Sequence, residues 1–127
     1  MRILLWVLQV LLAVAFLAHG VMLLSPPAAI ADQLNATLPR WFQVSLGVAE
    51  VLAAIGITLP GVTGIQPWLV PASAAGIMCV MISATAFHLM RGEISSAITT
   101  LVLLAMATFV AYIRWRAIPI RPRTLAV

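Results

Sequence analysis

The residues best suited to chemistry in this sequence are one carboxylate and two imidazoles, each set in apolar surroundings. Glu50 stands in the run "SLGVAEVLAAIGITLPG", whose other residues are small or apolar. His19 and His88 stand in two other apolar segments. A carboxylate and an imidazole can bind a polar ligand or exchange a proton with it. These residues therefore predict a ligand-binding or proton-handling site, provided that the fold brings them together.

The same inventory argues against several other kinds of site. Cys79 is the single cysteine of the sequence, so an internal disulfide and a paired-cysteine redox centre are excluded. The Glu-x-x-His pairs of di-iron bundles and two histidines at positions i and i+4 are both missing. We predict no metal site and no intrinsic cofactor, with haem ligation between His19 and His88 left open as an alternative.

The composition indicates an all-α membrane protein. Of the 127 residues 64% are hydrophobic and 8% are charged, against about 25% charged residues in a typical soluble domain. The apolar residues form runs of roughly 20, the length that a helix needs to cross a bilayer core of about 30 Å. We predict one domain, residues 1–127, built as a bundle of four transmembrane helices at about 3–24, 41–59, 68–90 and 94–115, followed by a basic tail, 116–127.

The first apolar run also resembles a secretory signal peptide, because Arg2 precedes it. The run is longer than the apolar region of a typical signal peptide, so we expect it to remain as the first span. Four spans place both termini on one side of the membrane.

The arginines predict which side that is. All seven basic residues are arginine, and five of them flank the termini: Arg2, Arg114, Arg116, Arg121 and Arg123. The positive-inside rule then places both termini in the cytoplasm of a multi-pass protein of the inner cell membrane. We interpret the basic tail as a topology signal that contacts anionic lipid, and we expect no nucleic acid partner.

The connections between the spans carry their own signals. The first is long, and its Ile30, Leu34 and Leu38 recur every four residues, which predicts a short amphipathic helix at the membrane interface. The second, "PGVTGIQP", predicts a Pro/Gly turn, and the third, "RGE", a tight turn at Gly92. Short turns make the later spans antiparallel neighbours.

Glu50 lies about 10 residues after Arg40, or roughly 15 Å along a helix, which is close to the membrane midplane. A charge is costly at this depth, so we expect Glu50 to face the bundle interior together with Gln43, Gly47 and Ala54. His19 and His88 belong to the outer half of their spans. We therefore predict a polar pocket that opens to the outside and holds Glu50, His19, His88 and Gln43, with Arg40, Arg91 and Glu93 at its mouth.

Each of these residues also has a purely structural interpretation. Glu50 can serve as a polar contact between helices, His19 as a packed residue bonded to a carbonyl, and His88 as a residue at a helix end. Arg91 and Glu93 are expected to form an exposed ion pair. The hydroxyls of the fourth span can bond within their own helix or line the pocket: Ser95, Ser96, Thr99 and Thr100.

Four stretches of the chain resemble the DoxX-like family of small bacterial four-helix membrane proteins. They are "GVAEVLAAIGITLP" after a Trp-Phe pair, "PWLVPASAAG", "ATAFHLMRGE" and the closing "AYIRW", and together they cover about residues 40–116. The matched motif positions are Glu50, His88, Gly92 and Glu93. The resemblance implies a link to membrane redox complexes and quinone chemistry, without assigning a role to these residues.

Three functions stay open at this point. The first is an accessory subunit of a quinone-linked membrane redox complex, with a quinone or a lipid in the pocket around Glu50 and no catalytic activity of its own. The second is a non-catalytic scaffold or assembly protein. The third is an autonomous carrier or enzyme for a small lipophilic molecule. The expected partners are membrane lipids and either other membrane subunits or further copies of this chain.

Overall fold

Four long apolar helices make up most of the chain. The structure, a computed structural model, describes residues 1–124. The spans are α1 (Arg2–Leu24), α3 (Arg40–Thr63), α4 (Leu69–Met90) and α5 (Ile94–Tyr112), the last continued by a π-helix (Ile113–Ala117), and a short α2 (Ala28–Thr37) lies between the first two spans. Each span is long and apolar enough to cross a membrane. The predicted all-helical four-span bundle is confirmed.

The spans pack as two pairs. α1 packs along α3 and α4 packs along α5, while the contact between α3 and α4 joins the pairs. Because there are four spans, Met1 and Thr124 lie at the same end of the bundle. We call this end the inner end, following the predicted orientation, and the end that carries α2 the outer end.

Two glycines set the distance between α1 and α3. A Cβ atom added to Gly47 would lie 2.9 Å from the carbonyl oxygen of Gly20, and one added to Gly20 would lie 2.9 Å from that of Gly47. The two backbones therefore touch directly, as small residues allow in membrane helices. His19 is next to Gly20, and Glu50 is about one turn from Gly47, so this contact brings both side chains to the same place.

The hydrophobic core fills the inner half of the bundle and reaches mid-depth. Its buried members come from all four spans: Leu12, Phe16, Ala54, Ile57, Val70, Ala74, Ile77, Met81, Ala107 and Val110. The outer half contains far fewer buried side chains. This asymmetry leaves space for a large cavity in the outer half.

A polar network and the tail close the inner end. The Nε atom of Arg114 donates to Oε1 of Gln9 over 2.7 Å, and Nε2 of Gln9 donates to the carbonyl oxygen of Ile57 over 2.7 Å. The tail then crosses from the π-helix to the end of α3, where the Arg123 amide donates to the Gly64 carbonyl over 2.9 Å. The network thus ties α1 and α3 to the π-helix that continues α5.

Several local predictions can be compared with these elements. The amphipathic helix expected around Ile30 and Leu34 is present as α2, and Gly92 has the left-handed conformation expected at its turn, with φ 70°. The predicted end of the second span at residue 59 is wrong, because α3 runs through Pro60 to Thr63. The helix stops only where Gly64 becomes left-handed and its amide bonds to the Pro60 carbonyl.

The last span also differs from its predicted end at residue 115. The α-helix ends at Tyr112, and the π-helix continues the span to Ala117. Beyond it the described tail is not helical, as Pro119 and Pro122 predict. Residues 125–127 of the predicted tail lie outside the described residues.

Candidate functional site

A cavity of about 1030 Å³ occupies the outer half of the bundle. It lies between the two helix pairs and receives residues from α1, α2, α3, α4 and α5. Most of its lining is apolar, including Phe16, Leu46, Met81 and Leu103. A volume of this size is at the upper end of the range usual for sites that bind small organic molecules.

The deepest polar feature of the cavity is the contact between His19 and Glu50. The Nδ1 atom of His19 lies 2.6 Å from Oε2 of Glu50, which is the distance of a short hydrogen bond. The Glu50 side chain is 2% exposed, whereas that of His19 is 51% exposed. Both residues line the cavity. The carboxylate is thus the buried partner, and the imidazole presents the pair to the cavity.

His88 lines the same cavity but bonds to a different carboxylate. Its Nδ1 atom lies 2.6 Å from Oε2 of Glu93, and Nε of Arg91 donates to Oε1 of Glu93 over 2.9 Å. These bonds, with the one from His88 contributing more, hold the pKa of the Glu93 carboxyl below its usual value of 4.5. The three residues form a polar group at the outer mouth, and the ion pair expected between Arg91 and Glu93 is part of it.

Gln43 and Arg40 do not line the cavity, in contrast to the prediction. Gln43 is fully buried, and its Nε2 atom donates to the Leu38 carbonyl over 2.8 Å and to Oδ1 of Asn35 over 3.0 Å. It thereby tethers the C-terminal end of α2. Arg40 is long enough to reach the unpaired carbonyls at the end of α1, donating to Leu23 over 2.7 Å and to Leu24 over 2.6 Å.

The side of α2 that faces the cavity was missed as part of the site. Ile30, Gln33, Leu34 and Thr37 line the cavity, and their spacing is that of one helix face. The periodicity of Ile30 and Leu34 predicted this helix, but the sequence alone assigned its apolar side to the membrane interface. In the structure α2 forms a roof over the outer cavity.

The hydroxyls of α5 have both of the roles that the sequence left open. Ser95, Ser96 and Thr99 line the cavity. Thr100 also reaches the cavity, but its hydroxyl lies 2.7 Å from that of Thr85 on α4, which joins the second helix pair. These groups provide neutral hydrogen-bonding positions opposite the wall that carries His19 and Glu50.

The carboxylate, imidazole and guanidinium groups of the cavity form one hydrogen-bonded pair, His19 with Glu50, and one group of three, His88, Arg91 and Glu93. Residues 1–124 contain no group of three or more His, Cys, Asp or Glu side chains that could hold a metal ion. The arrangement suits an organic ligand with an apolar body and a polar head, because a polar pair stands in a mostly apolar wall. An imidazole held by a carboxylate can also pass a proton to such a head.

Comparison with known proteins gives one result. The family model described as the DoxX-like family matches residues 7–110, a range that contains every residue of the cavity lining. No curated protein matches the chain, and no solved structure matches it.

Proposed function

Since this chain belongs to the DoxX-like family and its four apolar helices make it a multi-pass membrane protein, we propose that it binds a lipophilic molecule with a polar head in the outer cavity. We further propose that it does so as an accessory subunit of a membrane redox complex, with a quinone as the ligand. The observation that carries the proposal is the pair of His19 and Glu50 in the wall of a large, mostly apolar cavity.

The charge state of the pair favours a ligand oxygen that accepts a hydrogen bond. A net charge is costly at this depth, so the neutral forms of the pair are favoured. Two such forms use the short contact fully: an ion pair of a carboxylate with a doubly protonated imidazole, and a protonated Glu50 that donates to Nδ1 of His19. In both forms Nε2 of His19 carries a hydrogen. His19 then donates to the ligand, and a quinone carbonyl is such an acceptor.

The same pair can supply a proton when the bound ligand is reduced. Reduction of a quinone to a quinol takes two electrons and two protons. The first proton can pass from Nε2 of His19 to a ligand oxygen, which leaves the pair with one negative charge. The pair then regains a proton from the outer side and passes it on as the second proton, after which it is recharged from the same side. The electrons would come from a partner subunit. This chain would bind the quinone and supply protons, and its proposed role is accessory for that reason.

The inner end of the fold favours binding over passage through the protein. The cavity occupies the outer half, while the apolar core and the bonds among Arg114, Gln9 and Ile57 fill the inner half. A ligand that enters from the outer leaflet therefore reaches packed side chains and cannot continue to the inner side. This geometry supports a binding subunit better than an autonomous carrier.

The test is to extract the protein in its native lipid and to identify by mass spectrometry both the lipophilic molecules and the polypeptides that accompany it. We expect a quinone in stoichiometric amount, together with redox subunits, and a loss of the quinone in Glu50→Gln. Asp32→Asn is the matched control, because Asp32 is the acidic residue outside the cavity lining. A quinone without redox subunits would remove the accessory role, and bulk lipid alone would contradict the binding role.

A further inference from the structure

We propose that the inner end of the bundle carries a binding site for one anionic phospholipid, separate from the outer cavity. The site is a groove of about 330 Å³ between α4 and the end of the last span. One wall is formed by Pro71, Ala72 and Ala75 of α4, and the other includes Tyr112 of α5 with Trp115 and Arg116 of the π-helix. Nothing in this proposal depends on what the outer cavity binds.

The shape and depth of the groove fit a lipid. Its α4 wall consists of small apolar side chains, and its volume is close to the lower limit for a small-molecule site, so it has room for part of an acyl chain. Tyr112 and Trp115 stand at the inner end of the span, where amphipathic aromatic rings favour the level of the lipid headgroups. Arg116 lies beside them at that level. An acyl chain that packs along Ala72 and Ala75 thus places its headgroup next to the guanidinium of Arg116.

The charge of the inner end selects an anionic headgroup. Five arginines belong to this end. The chain has three acidic residues, and none lies there: Asp32 is in α2, Glu50 is at mid-depth in α3, and Glu93 is in the outer turn. Within residues 1–124 no carboxylate pairs with an arginine of the inner end. A phosphodiester accepts two hydrogen bonds from a guanidinium and supplies the missing negative charge.

A buried arginine in the same π-helix as Arg116 adds to the positive charge of the inner end. Arg114 is 5% exposed, and among the described residues its Nη2 atom has no hydrogen-bond partner. Within residues 1–124 its charge meets neutral groups: Gln9, the carbonyl of Ile118 and the ring of Trp6 at 5.4 Å. Arg114 and Arg116 both belong to this π-helix, so their charges add to the attraction of the inner end for an anion. A nearby phosphate lowers the cost of keeping this charge out of water.

The experiment compares phosphatidylglycerol with phosphatidylcholine of the same acyl chains, each titrated into the protein in a neutral detergent and followed by native mass spectrometry. We expect phosphatidylglycerol to bind more tightly, and Arg116→Gln to weaken it about fivefold. Arg121→Gln is the matched control, because Arg121 lies in the same tail but not in the groove. Ala75→Leu should also weaken binding, because it fills the groove and leaves every charge in place.

Four results would overturn the proposal, three from lipid binding and one from competition by inorganic phosphate. The first is equal binding of the two lipids. The second is an equal loss in Arg116→Gln and Arg121→Gln, which would mean diffuse attraction without a site. The third is unchanged binding in Ala75→Leu. Inorganic phosphate is tested in parallel: if it competes with phosphatidylglycerol at similar concentrations, the groove binds the free anion and not the lipid.

Discussion

The Nδ1 atom of His19 lies 2.6 Å from Oε2 of Glu50, and this contact joins the first span to the second at mid-membrane depth. Its geometry depends on the backbone contact between Gly20 and Gly47 beside it. The candidate site is thus built where the backbones of α1 and α3 touch, and changes in that packing should reach the site directly.

Two substitutions of Glu50 separate a chemical role from a packing role. Glu50→Gln keeps the size and a hydrogen-bonding group, so we expect it to cost less than about 1 kcal/mol of unfolding free energy. Glu50→Ala leaves His19 without its partner and opens a cavity beside Gly47, at an expected cost of about 2 kcal/mol. Thermal unfolding in detergent measures both. If Glu50→Gln also keeps full ligand binding, the proposed role of the carboxyl group is lost.

Gly47→Ala should destabilise the bundle, since the new Cβ atom would lie 2.9 Å from a backbone oxygen that cannot move aside. Overpacking of this kind costs about 1–3 kcal/mol. Gly76→Ala is the matched control, because a Cβ atom there meets nothing within 4 Å, and a helical alanine is better than glycine by about 0.5–1 kcal/mol. Opposite shifts of the melting temperature are expected. Equal shifts would contradict the close approach of α1 and α3.

Gln9 and Arg114 should be coupled in a double-mutant cycle. Each single change, Gln9→Leu or Arg114→Met, leaves a buried polar partner unpaired, which costs about 1–3 kcal/mol. The double variant removes both partners and should cost less than the sum of the two. Arg116→Met combined with Gln9→Leu serves as the control. It should be additive within about 0.5 kcal/mol, because Arg116 does not contact Gln9.

Gln43→Leu should loosen the roof of the cavity. α2 has no buried residue of its own, so its attachment depends strongly on the hydrogen bonds that Gln43 donates to Leu38 and Asn35. Loss of these bonds, at about 1 kcal/mol each, should speed hydrogen exchange of the α2 amides roughly tenfold or more. Ser45→Ala is the control, since its hydroxyl bonds only to Trp41 within α3. Unchanged exchange in Gln43→Leu would show that other contacts hold α2.

The outer turn should give a pH dependence of stability. The pKa of Glu93 is held below its usual value of 4.5 by bonds from His88 and Arg91, so its contribution to folding is complete above pH 4.5. It is lost as the pH falls below 4.5 and through the lower pKa of the folded state. We expect the melting temperature of the wild type to fall more steeply than that of Glu93→Gln over this range. Parallel curves for the two proteins would contradict the assignment.

The sequence was most informative where the membrane constrains it. The lengths of the apolar runs predict the four spans, and the spacing of Gln43, Gly47, Glu50 and Ala54 correctly predicts the buried face of α3. The choice between His19 and His88 as the partner of Glu50 could not be predicted. Side chains that face lipid and side chains that face the core are both apolar, so the sequence does not fix the rotation of α1 or α4.

Two other features were beyond the sequence for related reasons. Pro60 suggested that the second span had ended, but a proline in the last turn removes only one hydrogen bond, and Gly64 provides the stop. The sequence predicted that the apolar side of α2 faces the membrane interface, but in the structure this side lines the outer cavity. That cavity exists because the two helix pairs separate in the outer half. The residue pattern of one helix does not show how two helix pairs pack against each other.

The unequal distribution of charge also gives the protein a permanent electric dipole along the membrane normal. The five arginines of the inner end carry positive charge, and all three acidic residues lie at or beyond mid-depth toward the other end. A transmembrane voltage that is negative inside acts on each charge by about 2.3 kcal/mol per 100 mV for a complete crossing. Such a voltage stabilises the arrangement with the arginines inside against inversion, so an energised membrane would favour the same orientation that the arginines predict.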